Sequence, residues 1–144
     1  MTLLHYRFLE DIALADLAFE AKGATYDELF QHAAEAVFAA LCRLSTVERK
    51  VERTIDLTAR SVENLLYDFL SEIVYLKDAD GLVFSAADVR VKKGVPWSLH
   101  AVIWGEPIQP EKHALGSDVK AVTMHMLKVW TQKERYYARV ILDI

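Results

Sequence analysis

The sequence predicts an α+β fold: one domain in which two helices pack on antiparallel or mixed β-sheet. Two apolar stripes at three- and four-residue spacing each follow a threonine or serine cap, which marks two amphipathic helices. Segments alternating apolar with polar residues fill most of the remaining chain, which marks strands. These strands do not alternate strictly with the helices. The order β-β-α-β-α followed by four strands therefore fits α+β better than a doubly wound sheet. A length of 144 residues suits one domain over 1–144.

Each element has its own signal. Residues 5–10 alternate aromatic and polar side chains, with Tyr6 and Phe8 on one side, as in a strand. Residues 14–21 read as a second, alanine-rich strand closed by a turn at Gly23. Thr25-Tyr26-Asp27-Glu28 is a capping box, and the stripe Leu29, Ala33, Val37, Leu41 and Leu44 extends a helix over 26–44. Residues 51–58 alternate as a strand with one buried face. Ser61 caps the second helix, whose stripe includes Leu66, Phe69, Leu70 and Ile73, and which should stop before Asp80-Gly81. Leu82–Lys92 and 97–105 read as two strands joined at Lys93-Gly94-Val95-Pro96. Residues 106–117 hold Pro107, Pro110 and Gly116 and read as a loop. Residues 119–131 and 136–142 read as a last pair, joined near 132–135. The helical faces place Leu29, Val37, Leu41, Leu66, Phe69, Leu70 and Ile73 in the core.

Composition excludes several classes. Apolar residues make up 53% of the chain and charged residues 26%, so disorder is not its main state. A formal net charge of -4 argues against binding nucleic acid unaided, because phosphate neutralisation needs a basic patch. The single Cys42 permits no internal disulfide and no multi-cysteine metal site, and its place beside Leu41 suits a buried thiol. No apolar run approaches the roughly 20 residues of a membrane span, and the N-terminus lacks a signal-peptide pattern. The expected setting is therefore cytoplasmic, away from membranes. The glycines are isolated, which excludes a phosphate-binding loop, and no serine has the flanking glycines of a nucleophile elbow. The histidines, His5, His32, His100, His113 and His125, lack HExxH spacing and read singly as packed or surface residues, His125 excepted.

The aspartates are more informative. Asp16 interrupts the apolar run Ile12-Ala13-Leu14-Ala15, and Asp143 interrupts Val140-Ile141-Leu142 beside Ile144. Two carboxylates with a terminal carboxylate or carbonyl of Ile144 make an oxygen-rich set suited to a hard cation such as Ca²⁺ or Mg²⁺. The competing reading is two exposed strand-end aspartates. In Val119-Lys120-Ala121-Val122-Thr123-Met124-His125, strand alternation puts Lys120, Val122 and Met124 on one face and the others opposite. Lys120 is then either a snorkelling surface residue or a charge aimed at a site.

Four stretches resemble the archease family. Residues 6–23 resemble its opening segment, an aromatic strand leading to Ala-Asp-Ile/Val-Gly with a glycine seven residues beyond the aspartate; here Gly23 follows Ala15-Asp16-Leu17-Ala18 at that distance. Residues 25–44 resemble the family's T-x-E-E-A-F…A helix. Residues 118–125 resemble its E-V-K-A-V-T-Y-H segment, and Val140-Ile141-Leu142-Asp143-Ile144 matches its V-I-L-D-I end. There are two departures. Ile12-Ala13-Leu14-Ala15 stands where the family has His-Thr-Ala, so no histidine role carries over there. Met124-His125 stands where it has Tyr-His, so no tyrosine hydroxyl is available.

The resemblance implies an accessory protein rather than an enzyme. It implies a protein that activates a GTP-dependent tRNA-splicing RNA ligase, promoting its guanylylation and multiple turnover, and that meets RNA only indirectly. The family's metal positions fall on Asp16, Asp143 and Ile144, with calcium expected ahead of magnesium. Its functional lysine falls on Lys120, expected on the same surface. Two alternatives remain: a small metal-dependent hydrolase using the Asp16/Asp143 site, with His125 as the candidate water activator, or a chaperone-like assembly module.

Overall fold

A computed structural model describes residues 5–9 and 16–144. Glu10, expected to end the first strand, and Leu14 and Ala15, expected to begin the second, lie outside the described residues, as do residues 12 and 13 of the run before Asp16. Strand β1 (Tyr6–Leu9) pairs antiparallel with β2 (Asp16–Gly23). Gly23 is required where β2 turns into the first helix, because a Cβ there would strike the backbone of Leu29 and Glu28.

Helix α1 (Tyr26–Leu41) begins at the expected threonine. The Thr25 hydroxyl accepts from the Glu28 N–H at 3.1 Å. The Glu28 carboxylate reaches back to the N–H of Ala24, also at 3.1 Å, one residue before the cap. The helix ends at Leu41 rather than Leu44. Cys42 turns to extended backbone and is buried, and a 3-10 turn at Leu44–Thr46 carries the chain onward. Helix α2 (Val62–Asp80) is capped by Ser61, whose hydroxyl accepts from the Asn64 N–H at 3.1 Å. It takes in Asp80, one residue past the expected stop. Gly81, at φ 64°, then ends it in the left-handed region where glycine costs least.

Strands β3 (Val51–Ala59), β4 (Leu82–Lys92) and β5 (Trp97–Pro107) form an antiparallel sheet in the order β3-β5-β4. Ile55, Ala101 and Val89 lie in one cross-strand row facing the core, while Asp56, His100 and Arg90 form a neighbouring row facing solvent. Strand β5 runs on to Pro107, through the Glu106 expected in a loop. Strands β6 (Ala121–Gln132) and β7 (Arg135–Asp143) complete a second antiparallel sheet in the order β1-β2-β7-β6. Their hairpin turns on Lys133 and Glu134, both at positive φ (51° and 64°), the signature of a two-residue type I′ turn. Pairing of β6 with β7 is irregular between Thr123 and Lys128, where Met126 also takes positive φ (56°).

Both helices touch both sheets. Helix α1 packs on β2 and β4, and α2 packs on β6 and β3. Between them, Phe30 and Phe69 stack with ring centroids 6.1 Å apart, and Phe38 meets Phe84 at 5.8 Å. The helical residues expected in the core, from Leu29 to Ile73, are all buried. This is the expected α+β arrangement, with both sheets antiparallel. Among the described residues no helix is long and apolar enough to cross a membrane.

Two substitutions test this packing. Phe69 is fully buried, so Phe69→Ala should lower the unfolding free energy measured in urea by about 3–5 kcal/mol; a loss well under 1 kcal/mol would refute its core position. Glu134→Gly should raise it by about 0.5–1 kcal/mol, because relief of left-handed strain exceeds the added chain entropy.

Candidate functional site

The register of the four-stranded sheet sets Asp16 directly opposite Asp143. Residues so paired point to the same face, with Cβ atoms about 4.5–5.5 Å apart. Alternation sends Leu17, Phe19, Val140 and Leu142 into the core, so the two carboxylates project from the other face. Elsewhere on that face the register joins opposite charges. Glu20 lies between Arg7 and Arg139, accepting from them at 3.0 and 3.3 Å. Asp16 instead faces a second carboxylate. Among the described residues neither aspartate has an ion-pair partner, whereas Glu20 has two. Like charges held directly opposite are destabilising unless a cation lies between them.

The other two expected site residues adjoin the pair through the main chain at the same end of the sheet. Ala121 is the cross-strand partner of Asp143 on β6, and the Lys120 N–H donates to the Asp143 carbonyl at 2.8 Å. Ile144 follows Asp143, and its side chain packs against the core, which anchors the end of the strand. Lys120 is exposed and lines a depression of about 280 Å³ with Tyr67, Ser71, Tyr75 and Asp78 of α2, on the helix side of the sheet rather than on the face from which the carboxylates project, where it was expected.

Two expectations along β6 need correction. Val119 and Val122 are both buried, although simple alternation assigns them to opposite faces. The strand begins only at Ala121, so Val119 approaches the core from the preceding segment. His125 is exposed within the irregular stretch, where alternation is broken, and no longer shares a regular face with Ala121.

A buried ionic cluster, missed in the sequence, holds the approach to Lys120. Glu106 is completely buried. It accepts from the Glu48 N–H at 2.7 Å and from the Lys112 ammonium at 2.8 Å. His113 Nδ1 accepts from the Gln109 N–H at 2.9 Å, so Nε2 carries the proton and donates to Glu106 at 3.1 Å. The backbone donor of Glu48, then Lys112 and His113, hold the Glu106 carboxyl down at about 2 against the cost of its burial. The loop carrying Lys112 and His113 is pinned to the end of α1, where Gly116 and Ser117 donate to the carbonyls of Leu41 and Ala40 at 2.9 and 2.8 Å. Lys77 then reaches Asp118 at 3.5 Å as the chain enters β6. The available signal was a glutamate closing an apolar strand, with lysine and histidine six and seven residues later.

Residues 6–144 match the Archease protein family (MTH1598/TM1083). The protein archease of Pyrococcus furiosus is 36% identical over 132 residues, covering 90% of this chain and 93% of that one. The protein archease of Methanosarcina mazei is 35% identical over 142 residues, covering 96% and 95%. The solution structure of Methanobacterium thermoautotrophicum protein 1598 superposes with a TM-score of 0.87 at 34% identity, covering 99% of this chain and all of that one. The crystal structure of TM1083 from Thermotoga maritima, described as an archease and possible chaperone, has a TM-score of 0.62 at 19% identity over 92% and 93%, a likeness of fold.

The Glu106 cluster should be visible in acid. A carboxylate with a depressed folded pKa contributes stability above its unfolded pKa, and that contribution is lost as pH falls through the folded value. Glu106→Gln should therefore be less stable than wild type at neutral pH, and the gap in urea midpoints should close as pH falls from about 4.5 to about 2. A gap independent of pH across that window would show that the charge contributes nothing.

Proposed function

Because the chain belongs to the archease family, we propose that it activates a GTP-dependent tRNA-splicing RNA ligase, promoting the ligase's guanylylation and multiple turnover without turnover of its own. The observation that carries this reading is the placement of Asp16 opposite Asp143, at the end of the sheet where the main chain of Lys120 joins Asp143. Two carboxylates without an ion-pair partner among the described residues, joined by a main-chain oxygen of Ile144, would make an all-oxygen donor set, which suits Ca²⁺ better than Mg²⁺ because Mg²⁺ demands tighter octahedral geometry and keeps its waters. When bound, such an ion neutralises the paired aspartates and offers a positive charge to a phosphate.

The remaining work falls to this chain's own residues. Lys120 supplies a mobile point charge on a long stem, able to draw a triphosphate or an acidic group of the ligase toward the corner. Its main chain is fixed by the Asp143 carbonyl, and the buried Glu106 cluster fixes the loop that leads to it. Charge neutralisation and positioning are what phosphoryl and nucleotidyl transfer require of an accessory group. Such a helper needs no nucleotide pocket or nucleophile, which agrees with the absence of both motifs in the sequence. It need not bind RNA directly, which agrees with the net charge of -4.

The test is ligase guanylylation and RNA joining with and without the protein. Lys120→Met should keep the wild-type melting temperature, because the residue is exposed, and should lower activation roughly tenfold or more. Asp143→Asn should weaken Ca²⁺ binding and activation together. Full activation by the Met variant would make Lys120 an ordinary surface lysine. Nucleotide hydrolysis by the isolated chain, lost in Asp143→Asn, would point instead to the hydrolase alternative.

A further inference from the structure

Away from that corner, β1 and α1 bring two histidines and a glutamate together. We infer that His5, His32 and Glu35 form a separate site for a borderline divalent cation of the Zn²⁺ class. One ligand atom from each lies within 4.8 Å of the others. His32 and Glu35 are three residues apart on α1 and so share a helix face. His5 enters from the residue before β1, its carbonyl fixed by the Lys22 N–H at 3.0 Å.

The protonation pattern favours a metal. His32 is buried, and its Nδ1 lies 2.6 Å from the Lys22 carbonyl. A carbonyl only accepts, so Nδ1 carries hydrogen and Nε2 keeps its lone pair in the neutral ring. Metal-binding histidines have this same second partner, which fixes both tautomer and ring orientation. The His5 and His32 rings stack with centroids 3.8 Å apart and planes 8° apart, which sets the two side chains against each other.

Glu35 supplies the independent sign. Its Oε1 is buried without a hydrogen-bond partner among the described residues, and His5 Nδ1 stands 3.7 Å away, too far to donate. A carboxylate oxygen left in that state is costly, and a cation would satisfy it.

Two nitrogens and one carboxylate oxygen suit Zn²⁺, with a fourth position left to water; calcium prefers oxygen alone. Zn–N distances of about 2.0–2.1 Å require ligand atoms roughly 3.3 Å apart in a tetrahedron, so the cluster must tighten. His5, with 59% of its side chain exposed, is the partner free to swing. The ion would tie the edge strand β1 to α1, a structural role independent of the Asp16/Asp143 corner.

The experiment uses the full chain without a histidine tag, titrated calorimetrically with Zn²⁺ and, in parallel, with Co²⁺ read by visible absorption. One equivalent should bind in the presence of excess Ca²⁺, with the absorption bands of tetrahedral Co²⁺, and should raise the melting temperature. His5→Ala and Glu35→Gln should each weaken Zn²⁺ binding about tenfold or more, while Asp143→Asn leaves it unchanged. His5 is exposed and Glu35→Gln nearly isosteric, so neither variant depends on replacing the buried His32; circular dichroism of the metal-free variants checks their folding. Absence of saturable Zn²⁺ binding, or equal affinity in wild type and His5→Ala, overturns the site. Loss of Zn²⁺ binding in Asp143→Asn also overturns it, by assigning the ion to the other corner. Because no arm uses the ligase, failure here is distinct from failure of the proposed activation.

Discussion

The pairing of β2 with β7 is the constraint on which the rest depends. These are the two inner strands of the four-stranded sheet, drawn from opposite ends of the sequence. Their register follows from the core: Phe19 and Ala21 on one strand and Ala138, Val140 and Leu142 on the other must face the helices. A slip of one residue would turn Glu20, Arg139 and both aspartates inward and expose the apolar set. Hydrophobic burial thus holds two like charges opposite each other, an arrangement that local electrostatics alone would oppose.

The second sheet contributes at a distance. Gly105 lets β5 approach β4 closely where their register shifts between Phe84 and Ala86; a Cβ at that position would collide with the Val83 carbonyl. The next residue, Glu106, is thereby carried into the interior, where it meets Lys112 and His113. That contact organises the loop between β5 and β6 and delivers Lys120 to Asp143. The site is assembled from the four-stranded sheet, but its lysine is positioned partly by the three-stranded one.

Much of this was legible in residue order. Thr25 and Ser61 marked both helix starts, Gly81 marked an end, and the apolar stripes named the buried helical side chains. Such features arise from contacts within a few residues, which sequence spacing reports directly. The isolated aspartates at 16 and 143 were also visible, and the family resemblance paired them. The strand order was not legible, because alternation identifies a strand without naming its neighbour. Nor was the role of Glu106, whose partners at 48, 112 and 113 come together only through the fold. The irregular stretch of β6 escaped for the opposite reason: Met124-His125-Met126 has ordinary strand chemistry and gives no glycine or proline to mark the break. The His5–His32–Glu35 cluster spans β1 and α1, and no local spacing could announce it.

The break in β6 has a consequence for the molecule in a crowded solution. At 12 residues β6 is a long edge strand, and a straight edge of that length would offer its free backbone groups as a template for a strand from another copy. The irregular pairing from Thr123 to Lys128 bends that template, and Met126 takes a backbone conformation that a pairing strand cannot follow. An incoming chain could match only a short stretch on either side, and Lys128 adds charge at the break. The same distortion that left no mark in the sequence therefore guards the sheet against edge-to-edge aggregation.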